Sequence, residues 1–207
     1  MLSTQLSGCD ERQQSANGTK TTQMDFNTDH FTLLGLAQSF QLDRQSLDQH
    51  YRELQSAMHP DKFVNASDTE RRLSMQWATQ INAAYQTLKN PRARAQYLLQ
   101  LRGIKVDAEN NNAMSNEFLL EQMEWRESVS TARSLGAEAS LLALQAQLAE
   151  QSKDYYEALT QLLDQSREWQ AAADLVCRLM FIEKLATEIE QALDEVNNDP
   201  LAHSASH

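Results

Sequence analysis

The absence of helix-breaking residues over a long stretch constrains the fold of this chain more than any other feature. Between Glu117 and Asn197 there is no proline, and Gly136 is the only glycine. Because proline and glycine are the residues that most often interrupt helices, this stretch predicts long helices joined by short connections. The predicted helices span residues 116–132, 137–165 and 168–196.

Two of these predicted helices carry a continuous apolar stripe at helical spacing. The middle helix has the stripe Leu141, Leu144, Leu148, Tyr155, Leu159 and Leu162. The last helix has the stripe Leu175, Leu179, Ile182, Ala186, Ile189, Leu193 and Val196. Stripes with this period face a common core, so residues 116–197 are predicted to form an up-down-up bundle of three helices with shallow crossing angles.

The N-terminal half predicts a hairpin of two amphipathic helices. The first begins after the N-cap residue Asp43 and has the apolar face Leu47, Tyr51, Leu54 and Met58. The second begins at Ser67–Glu70, which has capping-box spacing, and has the predicted core face Met75, Ala78, Ile81, Tyr85 and Leu88. Because only a short polar loop joins them, the two helices are expected to pack antiparallel.

Two shorter helices complete the prediction for this half. One covers residues 30–34 and is capped by Thr28 or Asp29. The other covers residues 91–101, begins at a proline and is ended by Gly103. The predicted fold class is therefore all-α: an antiparallel helical hairpin with short helices, joined to a C-terminal three-helix bundle.

The loop of the hairpin begins with the tripeptide His59-Pro60-Asp61. Pro60 fixes its own φ and disfavours the helical conformation at His59, so the preceding helix is expected to stop here. An imidazole and a carboxylate are then held side by side on a stiff, exposed turn. An ordinary helix-ending turn is the simplest interpretation of the tripeptide alone. An acid–base pair would also need a nucleophile, an oxyanion site and a pocket, and the sequence supplies none of them.

The net charge of −11 is spread unevenly along the chain. Residues 24–103 contain nine Lys or Arg against eight Asp or Glu, whereas residues 104–207 contain seven against nineteen. This asymmetry predicts two modules with different partners. It argues against nucleic acid as a partner, because there is no basic stripe to neutralise phosphates. No apolar run approaches the length of a membrane span, so no membrane association is predicted and the protein is expected to be soluble.

The two cysteines and the histidines predict no metal or disulfide framework. Cys9 lies in a polar leader and Cys177 in an apolar helical pattern, which is typical of reduced thiols in the cytoplasm. His30, His50 and His59 lie too far apart, without suitably spaced cysteines or carboxylates, to indicate a zinc site.

Three segments lack helical periodicity. Residues 1–23 are rich in Ser, Thr, Gln, Gly and Asn and are expected to be a disordered leader. Residues 104–115 are expected to be a polar linker between the two modules. The sequence Asn197-Asn198-Asp199-Pro200 is expected to end the last helix, and residues 198–207 are expected to be a loose tail.

The first predicted helix of the bundle has a second apolar face. Its core stripe contains Phe118, Trp125 and Val129. The other face contains Leu119, Leu120 and Met123 and continues with Glu124, Glu127 and Thr131, while Phe181 lies off the stripe of the last helix. An exposed apolar patch rimmed by carboxylates is typical of a protein-binding surface. The alternative is a wide core face that buries these residues.

The segment from about Asp29 to Tyr97 resembles a DnaJ-type J-domain. The resemblance rests on His59-Pro60-Asp61 and, downstream, on Ile81-Asn82-Ala83-Ala84-Tyr85, Leu88, Pro91, Arg94 and Tyr97. It implies that the tripeptide contacts an ATPase chaperone of the DnaK class and stimulates ATP hydrolysis. Family members also use a basic face on the second helix, for which Arg52 and Lys62, with Arg44, are available. Asp48 and Glu53 dilute that charge, so steering by charge is expected to be modest.

The longer stretch from about Asp29 to Val196 is similar to the HscB family, the J-type co-chaperones of iron–sulfur cluster assembly. The matching segments are Pro91–Leu99, Phe118–Glu124, Trp169–Asp174 and Phe181–Leu185. The resemblance implies that the bundle binds an IscU-type scaffold and that the J-domain recruits the HscA-type ATPase. The implied scaffold contacts are Leu119, Leu120, Met123, Glu124, Glu127 and Phe181. Thr131 stands where a family member has an acidic residue.

The resemblance implies a two-module adaptor with a J-domain over residues 24–103 and a scaffold-binding bundle over residues 116–197. No catalytic activity and no cofactor, metal or nucleotide of its own are expected. Three alternatives remain open: a J-domain protein that delivers a different client to a DnaK-class chaperone, an enzyme that uses His59 and Asp61, and a purely structural helical oligomer.

Overall fold

A computed structural model describes residues 27–64, 66–106 and 115–198 of the chain. Within these ranges the regular structure is helical and contains no strand, which confirms the all-α prediction. The helices are α1 His30–Leu33, α2 Arg44–Ala57, α3 Asp68–Lys89, α4 Pro91–Leu101, α5 Asn116–Ser134, α6 Glu138–Thr160 and α7 Trp169–Asn198. None of them is long and apolar enough to cross a membrane. The predicted leader and most of the predicted linker and tail lie outside the described residues.

The helices begin where the sequence places capping residues. Asp29, rather than Thr28, caps α1, and Asp43 caps α2 by accepting bonds from two backbone amides. Ser67 and Glu70 form the predicted capping box at α3. Such caps satisfy backbone N–H groups that have no partner inside the helix, so they fix where each helix begins.

Helices α2 and α3 pack as the predicted antiparallel hairpin. The hydroxyl of Tyr85 donates a hydrogen bond to the carboxylate of Asp48 at 2.8 Å, and the hydroxyl of Tyr51 donates one to the side-chain oxygen of Asn82 at 2.8 Å. Later residues of α2 therefore meet earlier residues of α3. The rings of Tyr51 and Tyr85 are stacked with centroids 4.0 Å apart, which places aromatic packing at the middle of the hairpin.

The core face of α3 differs from the predicted one. Met75 is 56% exposed, so its assignment to the core was wrong. The buried residues of α3 are Ser74, Trp77, Ile81, Ala84, Tyr85 and Leu88. Met75 and Ile81 are six residues apart, so their side chains point about 120° apart around the helix axis and do not face the same core. Trp77 lies one turn from Ile81 and takes that place.

Helices α5, α6 and α7 form the predicted three-helix bundle. Its core consists of Phe118, Val129, Ala132, Leu141, Leu148, Phe181, Ile182, Leu185, Ile189 and Ala192. Gly136 makes the turn between α5 and α6 with a φ of 60°, a conformation that favours glycine. The predicted middle helix continues past α6 as a π-helical turn over Gln161–Ser166.

The other end of the bundle shares a hydrophobic core with the N-terminal helices. Leu159, Leu163, Ala172, Ala173, Val176 and Leu179 belong to one cluster with Phe31, Phe40, Leu47, Ile81, Leu88 and Leu99. Ile104 and Val106, at the start of the predicted linker, also pack against it. Outside this core, Arg92 of α4 donates to Glu183 of α7 at 2.5 Å. The two predicted modules are therefore held against each other by a common core.

Candidate functional site

The His-Pro-Asp turn lies at the end of the hairpin, as predicted. Helix α2 ends at Ala57, with Met58 as its C-cap. His59 has an extended backbone with φ −63° and ψ 128°, and a short 3₁₀ helix follows over Pro60–Phe63. This is the conformation that a residue before proline favours, so the local sequence accounts for the stop. We call residues 59–61 the tip.

The side chains of His59 and Asp61 are open to solvent. His59 is 52% exposed and Asp61 is 86% exposed. The backbone N–H of Asp61 donates to Nδ1 of His59 at 3.3 Å, while the Asp61 carboxylate lies 3.6 Å from the same nitrogen. Nδ1 cannot accept from the amide and carry a proton for the carboxylate at once. In the amide-bonded form the neutral ring carries its proton on Nε2, which leaves a donor for a partner.

Two cationic side chains flank the tip. Arg52 and Lys62 line one open concavity together with His59 and Asp61. Arg52 donates from Nε to the carbonyl of Asp48 at 3.1 Å, which directs its stem along α2. Four of the predicted chaperone-contact residues therefore lie together around the tip: Arg52, His59, Asp61 and Lys62.

The two carboxylates predicted to dilute the basic face are partly engaged by neighbouring side chains. The carboxylate of Asp48 accepts a hydrogen bond from the hydroxyl of Tyr85 at 2.8 Å, and its Oδ2 lies 3.7 Å from Nε of Arg44. Glu53 accepts from Gln49 on its own helix at 2.9 Å. Both acidic groups are therefore held by neighbours within the hairpin.

The second predicted surface lies on α5. Leu120 is 61% exposed and Met123 is 66% exposed, and Glu124 and Glu127 are exposed beside them. Leu119 is half-buried. The exposed interpretation therefore holds for the centre of this surface, which we call the α5 face and which consists of Leu119, Leu120, Met123, Glu124 and Glu127.

Phe181 does not lie on the exposed surface. Of the two interpretations that the sequence leaves open, the wide core face holds for Phe181, because only 9% of the residue is accessible to solvent. Its ring packs edge-on against Phe118 with centroids 5.8 Å apart, and the guanidinium of Arg126 lies 5.4 Å from its centroid. Helix α7 contacts both α5 and α6, so it buries a broader face than a single stripe, and Phe181 falls within it.

Two arginines that sequence reasoning missed frame this aromatic pair. Arg178 of α7 lies 4.3 Å from the ring centroid of Phe118 and 3.6 Å from the carboxylate of Glu121. The guanidinium of Arg126 of α5 lies over the ring of Phe181. Arginine on an aromatic face is a favourable arrangement, but only tertiary structure shows which ring it meets.

An open groove continues from the α5 face between α5 and α6. Glu124, Glu127 and Thr131 line it on α5, and Leu135 and Leu144 contribute apolar surface. Leu135 is 74% exposed. The groove therefore combines carboxylates with apolar surface. Among the residues that the structure describes, no cluster of three or more His, Cys, Asp or Glu could hold a metal ion.

Two protein families match consecutive parts of the chain. Residues 29–97 match the DnaJ domain, and residues 114–190 match the HSCB C-terminal oligomerisation domain. Together with a helical hairpin that ends in His-Pro-Asp, these matches define the class: a J-domain protein with a helical C-terminal domain.

Comparison with whole proteins gives the family. The chain is 43% identical to a co-chaperone protein HscB homolog of Azoarcus sp. over 84% of this chain and 99% of that protein. It is 47% identical to the homolog of Ralstonia nicotianae over 82% of this chain and 96% of that protein. This chain belongs to the HscB co-chaperone family.

Solved structures of relatives have the same fold. HscB from Vibrio cholerae matches with a TM-score of 0.76 at 42% identity, over 81% of this chain and 99% of that chain. Human HscB matches with a TM-score of 0.75 at 28% identity, over 81% of this chain and 83% of that chain. The arrangement of the hairpin and the bundle is therefore a property of the family.

Proposed function

We propose that this protein is a cytoplasmic co-chaperone for the maturation of iron–sulfur proteins. The α5 face holds an IscU-type scaffold, and the tip docks on an HscA-type ATPase of the DnaK class and stimulates its ATP hydrolysis. Membership of the HscB family supports the co-chaperone role. The observation that carries the division of labour is the exposure of both surfaces on a single packed body.

The tip acts by presenting a few groups in a fixed arrangement. Proline at position 60 restricts the backbone, and the hydrogen bond from the backbone N–H of Asp61 orients the imidazole of His59. Little conformational freedom is therefore lost on docking. Nε2 of His59 supplies a hydrogen-bond donor, and the Asp61 carboxylate supplies a partner for a cation of the chaperone. Arg52 and Lys62 add positive charge around them, which favours an acidic surface on the chaperone.

The α5 face supplies the apolar anchors for the scaffold. Leu120 and Met123 project most of their surface into solvent, and burying such side chains is the main favourable contribution at the centre of an interface. Glu124 and Glu127 form an acidic rim, which favours basic groups on the scaffold. Phe181 packs beneath this face and offers the scaffold little exposed surface of its own.

The chemistry of ATP hydrolysis belongs to the chaperone. This chain acts as a non-catalytic adaptor, and His59 and Asp61 serve as binding groups rather than as an acid–base pair. It needs no cofactor, because its role is to place two partners at a fixed separation. Scaffold capture and ATP turnover are then coupled through the adaptor.

Steady-state ATP hydrolysis by the purified HscA-type chaperone tests the proposal. We expect this protein to raise the rate, and the scaffold to raise it further in its presence. His59→Gln is expected to remove both increases while scaffold binding persists. Turnover of ATP by this chain without the chaperone would contradict the adaptor role.

Calorimetric titration with the purified scaffold tests the identity of the client. Binding at tens of micromolar or tighter is expected, and Leu120→Ala serves as the weakened control. If the folded protein stimulates the chaperone but does not bind the scaffold, the exposed apolar face serves a different client of a DnaK-class chaperone.

A further inference from the structure

One carboxylate joins the N-terminal helices to the turn between α6 and α7. Oδ1 of Asp164 accepts a hydrogen bond from the backbone N–H of Phe40 at 2.7 Å, and Oδ2 accepts one from the N–H of Gln41 at 2.8 Å. Hydrogen bonds to an ionised carboxylate are stronger than neutral ones, and two parallel bonds also fix orientation. This contact links segments more than a hundred residues apart in the chain.

Both sides of this contact lead directly to a proposed binding surface. Phe40 and Gln41 precede Asp43, the N-cap of α2, and α2 ends at the tip. A helix of this length spans about 21 Å, so a change in direction at its base moves the tip by a proportionate amount. On the other side, α7 begins at Trp169, only a few residues after Asp164, and packs against α5.

The backbone around Asp164 is unusual in a way that serves the contact. Residues 161–166 form a π-helical turn, which is rare and frequently occurs at functional sites. Arg167 then adopts a left-handed conformation with a φ of 57°, which is uncommon for a residue other than glycine. The wider turn changes the direction in which side chains leave the helix, and Asp164 faces the N-terminal half.

A partly buried cation lies at the same joint. The guanidinium of Arg94 donates to the carbonyl of Leu88 at 2.5 Å and lies 5.2 Å from the ring centroid of Phe40. Burial lowers the pKa of Arg94, whereas the charge of Asp164 raises it. The carboxylate therefore also compensates a charge that the joint removes from water.

We propose that Asp164 is a positioning residue that fixes the base of α2 relative to α7 and so couples the α5 face to the tip. The inference rests on the proposed function, since it explains how scaffold binding changes ATPase stimulation. Coupling between two sites requires an element whose arrangement both sites influence. The Asp164 joint lies between them and contacts neither surface, so its loss affects coupling rather than binding.

Asp164→Asn tests this role with little change in volume, and Asp154→Asn, an exposed acid on α6, is the matched control. Three quantities are measured: scaffold affinity, ATPase stimulation by the adaptor alone, and the additional stimulation caused by the scaffold. For Asp164→Asn the first two are expected to stay within about twofold of the wild type, while the third falls by about fivefold or more, within the usual range of coupling between sites. The control is expected to match the wild type in all three.

A distance measurement tests the physical cause. Spin labels at Gln55 and Ala143, in a Cys9→Ser and Cys177→Ser background, report the separation of the hairpin and the bundle. The distance distribution is expected to be narrow in the wild type and in Asp154→Asn, and broader in Asp164→Asn. An unchanged distribution in Asp164→Asn would overturn the inference.

The remaining outcomes separate this inference from the proposed function. If Asp164→Asn lowers the melting temperature but keeps the full response to the scaffold, the carboxylate is only structural. If it weakens scaffold affinity or adaptor-only stimulation as much as the coupling, it acts at a site and not between sites. If the wild type itself shows no response to the scaffold, the proposed function fails and the positioning role fails with it.

Discussion

The guanidinium of Arg126 lies over the ring of Phe181, 5.4 Å from its centroid. Phe181 packs edge-on against Phe118 beneath it. The ring therefore belongs to the core of the bundle, and yet it lies next to the surface of α5. Substitutions at this position change the stability of the bundle as well as the shape of the face above it.

Phe181→Ala is expected to lower the free energy of unfolding by about 3 kcal/mol, because it leaves a cavity beside Phe118. Urea unfolding followed by circular dichroism measures the change. Leu120→Ala is the matched control: its side chain is largely in solvent, so its effect on stability is expected to be within about 0.5 kcal/mol. Equal stability of the two variants would contradict the burial of Phe181.

Truncation of the exposed anchors is expected to weaken the scaffold complex without unfolding the bundle. Leu120→Ala and Met123→Ala are each expected to cost about 1–2 kcal/mol of binding free energy, because a partner can bury side chains that are now exposed. Isothermal titration with the scaffold gives the values. Leu142→Ala, a partly exposed leucine on α6 outside the α5 face, is expected to leave the affinity unchanged.

His59→Gln is expected to abolish stimulation of the chaperone with only a small effect on folding. The imidazole is half exposed and contacts the amide and the carboxylate of Asp61 in its own turn, so the stability cost is expected to be about 1 kcal/mol or less. Steady-state ATPase rates and a thermal melt measure the two effects. Retained stimulation in the folded variant would remove His59 from the contact.

Arg52→Glu is expected to weaken the chaperone interaction in a salt-dependent manner. Arg52 is exposed beside the tip, where its charge contributes mainly through long-range attraction. The loss of stimulation is expected to be largest at low ionic strength and to shrink as salt screens the charge. Measuring ATPase stimulation as a function of chaperone concentration at two salt concentrations tests this. Glu53→Gln removes a negative charge from the same helix, so it is expected to increase stimulation at low salt.

The N-caps of α2 and α3 are expected to make the stability fall in acid. Hydrogen bonds from Ser46 and Gln45 lower the pKa of Asp43, and bonds from Ser67 lower the pKa of Glu70. A carboxyl whose pKa is lowered by folding stabilises the protein above the unfolded pKa, and this contribution is lost as the pH falls through the folded value. Urea unfolding is therefore expected to show stability falling below about pH 4. Asp43→Asn keeps a capping acceptor without titrating, so it is expected to flatten this dependence.

Features encoded locally could be predicted from the sequence. The stop at His59 follows from the proline after it, and the beginning of α3 follows from the pairing of Ser67 with Glu70. The spacing of apolar residues likewise predicted the three bundle helices to within a few residues. These features depend on interactions within one or two turns of the chain.

Features that depend on distant partners could not be predicted in this way. Met75 is a different kind of error, because its spacing from Ile81 already argues against a shared core face, which Trp77 fills instead. Phe181 lies off its stripe, yet it is buried because α7 has neighbours on two sides. Nor does any local signal predict that Asp164 bonds to the backbone of Phe40, since that contact exists only after the two halves have packed.

The shared core has a consequence for how a new chain matures on the ribosome. Phe31 and Leu47 lie near the beginning of the chain, whereas Val176 and Leu179, which pack in the same cluster, lie near its end. Synthesis proceeds from the N-terminus, so the hairpin emerges long before the residues that cover it. The apolar side of the hairpin remains uncovered until almost all of the chain has been translated. This co-chaperone is therefore expected to complete its own folding late in synthesis.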